Sequence, residues 1–279
     1  GGVRLRMVPL NKLRADIRHR ERAGMELNWS KTAVITGGAS GLGAAVAQRL
    51  AAFGVNVTLF DTNLKAAQIH AKAIGGAFQG VDVSDADSVA NGFADVKSAS
   101  GGLDILVNCA GIGPAAKTVS RGLPHDPAVF AKVVGINLIG SFNCASQAAA
   151  MMLEGPADGP DGGGGVIVNT ASVAASEGQV GQVAYAASKG GIVGMTLPMA
   201  RDLAASGVRV CTIAPGLFLT PLLAGLPDDV QSSLGQQVPF PPRLGDPAEF
   251  AAMACHIMEN RMLNGEVIRL DGAIRMAPR

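Results

Sequence analysis

The sequence predicts an α/β fold: a single domain with a seven-stranded parallel sheet and helices on both faces. Three observations predict it. From Lys31 onward, short β-branched runs alternate with longer alanine-rich stretches, the order of strand–helix–strand units on a parallel sheet. Runs such as Ile105-Leu106-Val107 and Val166-Ile167-Val168 are continuously apolar, as strands covered on both faces must be. The first run also passes through a glycine-rich turn directly into an alanine-rich stretch.

In order, the β-branched or apolar runs place strands over residues 31–36, 55–60, 78–82, 103–107, 165–170, 208–213 and 266–270. The stretches between them place helices over 42–53, 63–73, 85–99, 127–153, 183–205 and 247–258. Two long connections interrupt the alternation. Residues 155–165, Gly-Pro-Ala-Asp-Gly-Pro-Asp-Gly-Gly-Gly-Gly, read as a flexible surface insertion. Residues 217–244 are apolar and proline-rich and follow the carboxyl end of a strand, the edge where open α/β sheets bind ligands, so they are the expected substrate cover. The helix over 183–205 contains Gly190, Gly191, Gly194 and Pro198, each costly inside a helix. Close approach of another helix, within the subunit or across a subunit boundary, is the expected compensation, with a plain kink as the alternative.

Residues 1–28 stand apart as a basic extension, helical or disordered, with Arg4, Arg6, Lys12, Arg14, Arg18, Arg20 and Arg22 against Asp16 and Glu21. They read as an appendage ahead of Met25, with the domain running over 29–279. An arginine-rich, acid-poor leader also suits an organelle transit peptide, although no serine precedes Ser30.

Of the 279 residues, 48% are hydrophobic and 16% charged, enough apolar content for one sizeable core. The net charge of +1 gives no global field for nucleic acid or anionic membranes. Cys109, Cys144, Cys211 and Cys255 form no C-x-x-C pair, so neither a metal site nor a disulfide framework is signalled. No run approaches the roughly 18 uninterrupted apolar residues of a membrane span, and no secretory core is seen near the start. A cytoplasmic protein is expected, or one of the mitochondrial matrix if the leader is a transit peptide.

The turn after the first strand reads Thr36-Gly37-Gly38-Ala39-Ser40-Gly41-Leu42-Gly43. Glycines at 37, 41 and 43 permit positive φ and close backbone approach, and free N–H groups at the start of the following helix receive a pyrophosphate. With a strand before and a helix after, this is a Rossmann dinucleotide site; no Lys-Ser/Thr follows the glycines as in a triphosphate loop. Asp61 ends the second strand, where a carboxylate accepts from both ribose hydroxyls and repels a 2′-phosphate, selecting NAD; a turn cap is its alternative. Asp82 and Val83 follow the third strand near the adenine, with capping by Ser84 as the competing role. Asn108, Cys109, Ala110 and Gly111 follow the fourth, where Cys109 reads as a small apolar wall, not a nucleophile.

Tyr185, the chain's single tyrosine, precedes Lys189 by four residues, and Ser172 lies thirteen upstream. Positions i and i+4 share a helix face. Tyrosine ordinarily titrates near 10, and a nearby ammonium favours the phenolate, so Lys189 is expected to bring Tyr185 toward acid/base work at neutral pH.

Together with Asn137, Pro215 and Gly216, these motifs resemble the short-chain dehydrogenase/reductase family over nearly the whole chain after residue 30. The stretches 35–43, 169–175, 188–198, 214–218 and 264–272 are similar to the branch acting on 3-hydroxyacyl-CoA and on 17β-hydroxysteroids, as is the glycine-rich loop near 155–165. The resemblance implies an NAD-dependent oxidoreductase of fatty acid metabolism, assembled as a homotetramer, that interconverts a secondary alcohol and a ketone. It makes Tyr185 the acid/base. Lys189 lowers its pKa and binds the nicotinamide ribose, Ser172 binds the substrate oxygen, and Asn137 holds a water leading from Lys189 to solvent. Ser40, Leu42, Asp61, Asp82, Val83 and Cys109 would line the cofactor, with Phe218 and Thr220 near its carboxamide. Taken singly, Ser172 also suits a turn cap, Asn137 a buried bridging amide and Thr220 a helix cap. Leu219 stands where the branch has glycine, which would narrow the pocket mouth. Two rival functions remain at this level: an NADPH-dependent 3-oxoacyl-carrier-protein reductase, disfavoured by Asp61, and a dinucleotide-binding assembly scaffold.

Overall fold

Alternate residues of each central strand point into different cores. Ala33 and Ile35 of β1 (Thr32–Thr36) pack on one side, whereas Val34 packs on the other. Ile105 and Val107 of β4 (Ile105–Asn108) are divided from Leu106 in the same way. A period of two with apolar residues at every position demands cover on both faces. The computed structural model describes residues 24–155 and 162–278.

The remaining sheet strands are β2 (Asn56–Asp61), β3 (Ala77–Gly80), β7 (Gly165–Thr170), β8 (Val208–Pro215) and β9 (Val267–Leu270). Their spatial order is β3-β2-β1-β4-β7-β8-β9, and every pairing is parallel. The order reverses between β1 and β4, which opens a crevice at the carboxyl ends of the strands. One face is covered by α1 (Gly41–Ala52), α2 (Leu64–Ile74) and α10 (Pro247–Glu259), with Val46, Leu50, Ala71, Phe250 and Ile257 buried in the first core. The other face is covered by α3 (Ala86–Ser100), α5 (Gly140–Leu153) and α7 (Val183–Leu203), through residues such as Phe93, Ala148, Met152 and Ala200. Short helices α6 (Ala174–Glu177), α8 (Pro221–Ala224) and α9 (Asp228–Gln236) lie in the connections. The seven expected strands and six expected helices are all present, with ends displaced by one or two residues.

Two features differ from expectation, and two others specify it. A small hairpin, β5 (Val119–Ser120) and β6 (Leu123–Pro124), occupies what reads as loop; Arg121 and Gly122 turn it at φ 51 and 77. The long helix is α4 (Pro127–Val134), one wide turn over Gly135–Ile139, then α5. This Pro127–Leu153 run is, among the described residues, the one helix apolar and long enough to cross a membrane, yet Cys144, Ala148 and Met152 on it are core residues against the sheet. The glycines of α7 divide: a Cβ at Gly191 would meet Leu138 Cδ2 at 2.5 Å, whereas Gly194 has open space. Compensation within the subunit therefore applies at Gly191, and the Gly194 carbonyl that lacks a Pro198 donor belongs to an exposed residue.

The expected extension over 1–28 lies outside the described residues as far as residue 23. At residues 24–28 the boundary moves, because Met25 and Leu27 are buried in the core that holds Ala33 and Ile35. The folded domain thus begins ahead of residue 29. Residues 156–161 of the glycine-rich loop are likewise outside the description.

Candidate active site

The glycine turn is shaped as a cradle that side chains would fill. Gly37 and Gly41 have φ of +62 and +55, in the left-handed region that favours glycine. A Cβ on Gly37 would lie 2.8 Å from Ala110 N, and one on Gly43 would run into the Gly37 carbonyl. Thr36 fastens the cradle to the next strand, its hydroxyl accepting from the N–H groups of Cys109 and Ala110, both at 3.1 Å. Asp61 closes the far side: one carboxylate oxygen accepts from Ala39 N at 3.1 Å and the other from Asn63 N at 2.9 Å. It is a turn cap and still presents its carboxylate to the cleft. Asp82 accepts from Ser84 N at 2.9 Å and Ser84 Oγ at 2.6 Å, while the N-cap of α3 is Asp85, not Ser84.

These residues line one cleft of about 850 Å³. Gly37, Ser40, Gly41, Leu42, Gly43, Asp61, Asp82 and Val83 form one end, and Cys109, Ala110 and Gly111 the middle. At the other end are Ser172, Tyr185, Lys189, Pro215, Gly216, Phe218 and Thr220. Asn108 is the exception among the expected cofactor residues. It is 2% exposed, and its amide donates to Ser141 O at 3.0 Å and Asn169 Oδ1 at 2.9 Å. Facing Thr36 and Asn169 across the sheet turns its side chain into the interior.

At the catalytic end, Ser172 Oγ accepts from Ala174 N at 3.1 Å, a turn cap, and also hydrogen-bonds the Tyr185 phenol. Lys189, 5% exposed, donates from Nζ to Thr170 O at 2.6 Å and lies 5.7 Å from the centre of the Tyr185 ring. Burial is the first cause acting on both groups. Burial pushes the Tyr185 phenol above its usual value, with the Ser172 hydrogen bond pulling the other way, and burial brings the Lys189 ammonium down to about 8. The Lys189 ammonium is aimed at the Thr170 carbonyl and passes the ring. Burial also lifts the Cys109 thiol to about 11, so it stays neutral as a wall, as expected.

Asn137 is fully buried in the wide turn between α4 and α5 and does not line the cleft. Its Oδ1 accepts from Ile112 N at 2.8 Å, and its Nδ2 donates to Ile112 O at 2.8 Å and Ser188 Oγ at 3.0 Å. Both amide hydrogens are used in bridging, so any water this residue holds must use other atoms. Thr220 occupies the N-cap position of α8 without a side-chain capping bond. Leu219 turns away from the cleft into a second cavity of about 860 Å³, with Gln231, Arg243 and Glu249 on its walls. Only the start of the expected cover, Leu217 to Leu223, reaches the catalytic cleft.

Sequence reasoning missed Gln179, Gln182 and Met276, which line the cleft together with Ser172 and Tyr185. Gln182 precedes Tyr185 by three residues, a spacing that signals a shared helical face. Met276 carries no such signal.

The short chain dehydrogenase model matches residues 31–231. The chain belongs to the short-chain dehydrogenase family. It is 54% identical over 252 residues to human 3-hydroxyacyl-CoA dehydrogenase type-2, covering 88% of this chain and 95% of the relative. The Drosophila melanogaster protein of that name is 49% identical over 249 residues, covering 88% and 97%. A crystal structure of 3-hydroxyacyl-CoA dehydrogenase type-2 from Mycobacterium avium superposes with a TM-score of 0.86 at 37% identity, covering 91% of this chain and all of that one. As a short-chain dehydrogenase it is an oxidoreductase that uses a nicotinamide dinucleotide, and the glycine cradle fits that group's pyrophosphate.

Proposed function

We propose that the protein uses NAD to interconvert 3-hydroxyacyl-CoA and 3-oxoacyl-CoA, with hydroxysteroids as further substrates. The observation that carries this reading is the placement of Ser172, Tyr185 and Lys189 in the same cleft as the glycine cradle and Asp61. Each oxygen of Asp61 accepts one backbone N–H, so one lone pair on each is left for a ribose hydroxyl. Among the described residues no arginine lines the cleft, which disfavours a 2′-phosphate and with it the NADPH-dependent reductase. The names of the relatives support the acyl-CoA class.

When bound, the dinucleotide would supply the hydride acceptor or donor. The chain's own residues do the rest. Ser172 Oγ holds the substrate oxygen, and Tyr185 Oη takes the hydroxyl proton in oxidation or returns it in reduction. Lys189, fixed on Thr170 O, would hold the nicotinamide ribose with its remaining donors. Asn137 holds Ile112 and Ser188 so that the floor beneath Tyr185 keeps its shape. We further propose that the protein is a homotetramer, a reading supported by Ile139, Phe142, Leu153 and Leu197, exposed apolar residues on α7 and the long helix.

Steady-state kinetics with acetoacetyl-CoA and NADH, beside a hydroxysteroid and NAD, test the assignment. Turnover of the thioester is the expected result. Binding of NADH with no turnover of either class would replace the assignment by an assembly scaffold.

A further inference from the structure

After β9 the chain reverses through two left-handed residues, Gly272 at φ 59 and Ala273 at φ 68. An alanine there costs about 1 kcal/mol, a strain that persists only where neighbours over-determine the conformation. Here they do. Ala273 N donates to Asp271 Oδ1 at 3.1 Å, and the tail that follows meets residues 177–180, shortly after Ser172 in the chain. Glu177, the last residue of α6, accepts the Met276 N–H at 3.0 Å and pairs with Arg269 at 2.9 Å. Arg269 also binds Asp271 at 2.7 Å and the Ile274 carbonyl at 3.1 Å. Gln179 Nε2 donates to Ala277 O at 2.9 Å, and Val180 N donates to Pro278 O at 3.1 Å.

The arrangement joins two ends of one wall. Helix α6 begins just after Ser172, and Met276 lines the cleft with Gln179 and Gln182. A methionine side chain has three rotatable bonds and no polar anchor, so it makes a selective wall only where its backbone is held. The holding groups are partly desolvated, with side-chain exposures of 20% for Glu177, 29% for Arg269 and 9% for Asp271.

We propose that Glu177 and Arg269 are positioning residues that clamp the carboxyl-terminal tail, making Met276 a specificity-determining wall for the substrate chain. This rests on the function proposed above, and its test separates the two. Hydrogen exchange is followed at Met276 and Val180 in wild type and Glu177→Gln, with no substrate present. The clamp predicts faster exchange at both amides in the variant; unchanged exchange overturns it.

Selectivity is read as the ratio of kcat/KM between long and short 3-oxoacyl-CoA, or between a hydroxysteroid and a small secondary alcohol should wild type ignore thioesters. Met276→Ala should raise the ratio at least about tenfold, since it removes three heavy atoms and one methylene in a pocket is already worth about tenfold. Glu177→Gln should move it the same way through KM, with kcat changing less than twofold, and should add nothing in the Met276→Ala background. A merely structural Glu177 would lower kcat for all substrates alike, and independent, multiplying effects would likewise refute the coupling. A wild type inert toward every thioester would instead refute the acyl-CoA assignment, which the exchange measurement does not touch.

Discussion

Replacing Asp61 by alanine tests the cofactor end of the site. Each carboxylate oxygen already accepts one backbone N–H, from Ala39 and from Asn63, and a carboxylate has about four lone-pair sites. Two remain for two ribose hydroxyls. Hydrogen bonds to a charged group contribute about 1.5–3 kcal/mol each, and Asp61 is part-exposed, so the low end applies: about 3 kcal/mol, or roughly 100-fold in NAD affinity. Loss of the carboxylate also relieves repulsion of a 2′-phosphate, so the NAD/NADP ratio of kcat/KM should fall by at least that factor. The Ala39 bond complicates absolute values, because slackening the glycine turn weakens both cofactors. The ratio cancels that effect. It is measured with both dinucleotides at fixed substrate in wild type and Asp61→Ala, and a ratio that stays within threefold of wild type would refute the ribose contact.

Tyr185→Phe should abolish turnover and leave NADH affinity, titrated by fluorescence, within threefold; substantial residual turnover would remove the phenol from the mechanism. Because burial raises the Tyr185 pKa, oxidation, which needs the phenolate, should climb as pH rises through neutral into the alkaline range, whereas reduction, which needs the phenol, should stay level; stopped-flow rates in both directions give the answer. Lys189 titrates at about 8 against 10.5 for an unperturbed lysine, so between these values the unfolded chain binds a proton the native one lacks and stability rises with pH. Urea unfolding of wild type and Lys189→Met across that window should diverge, and parallel curves would count against a buried ammonium. Asn137→Ala strips partners from Ile112 N, Ile112 O and Ser188 Oγ and should cost about 3 kcal/mol or more, at 1–3 kcal/mol for each group left unsatisfied. An unchanged urea midpoint would show that water replaces the amide.

The sequence by itself determined the sheet, its order of elements and most of the cleft. Strand and helix periods are local, and the glycine turn, Asp61, Ser172 and the Tyr185–Lys189 pair all sit at strand ends or on one helix face, where spacing translates directly into position. Tertiary structure alone decided the rest. Asn108 looks like its cleft-lining neighbours in sequence, yet registry with Thr36 and Asn169 draws it into the interior. The wide turn at Gly135–Ile139 interrupts a pattern that reads as one helix, and Asn137 there is fastened to Ile112, twenty-five residues away. Lys189 is the right distance from Tyr185 along the chain, but Thr170 O sets where its charge points. Met276 lies at the cleft on a tail whose amide meets Glu177, nearly a hundred residues earlier. Local periodicity carries the backbone path; the direction of a buried charge and the meeting of distant segments depend on desolvation and on partners that no short stretch of sequence contains.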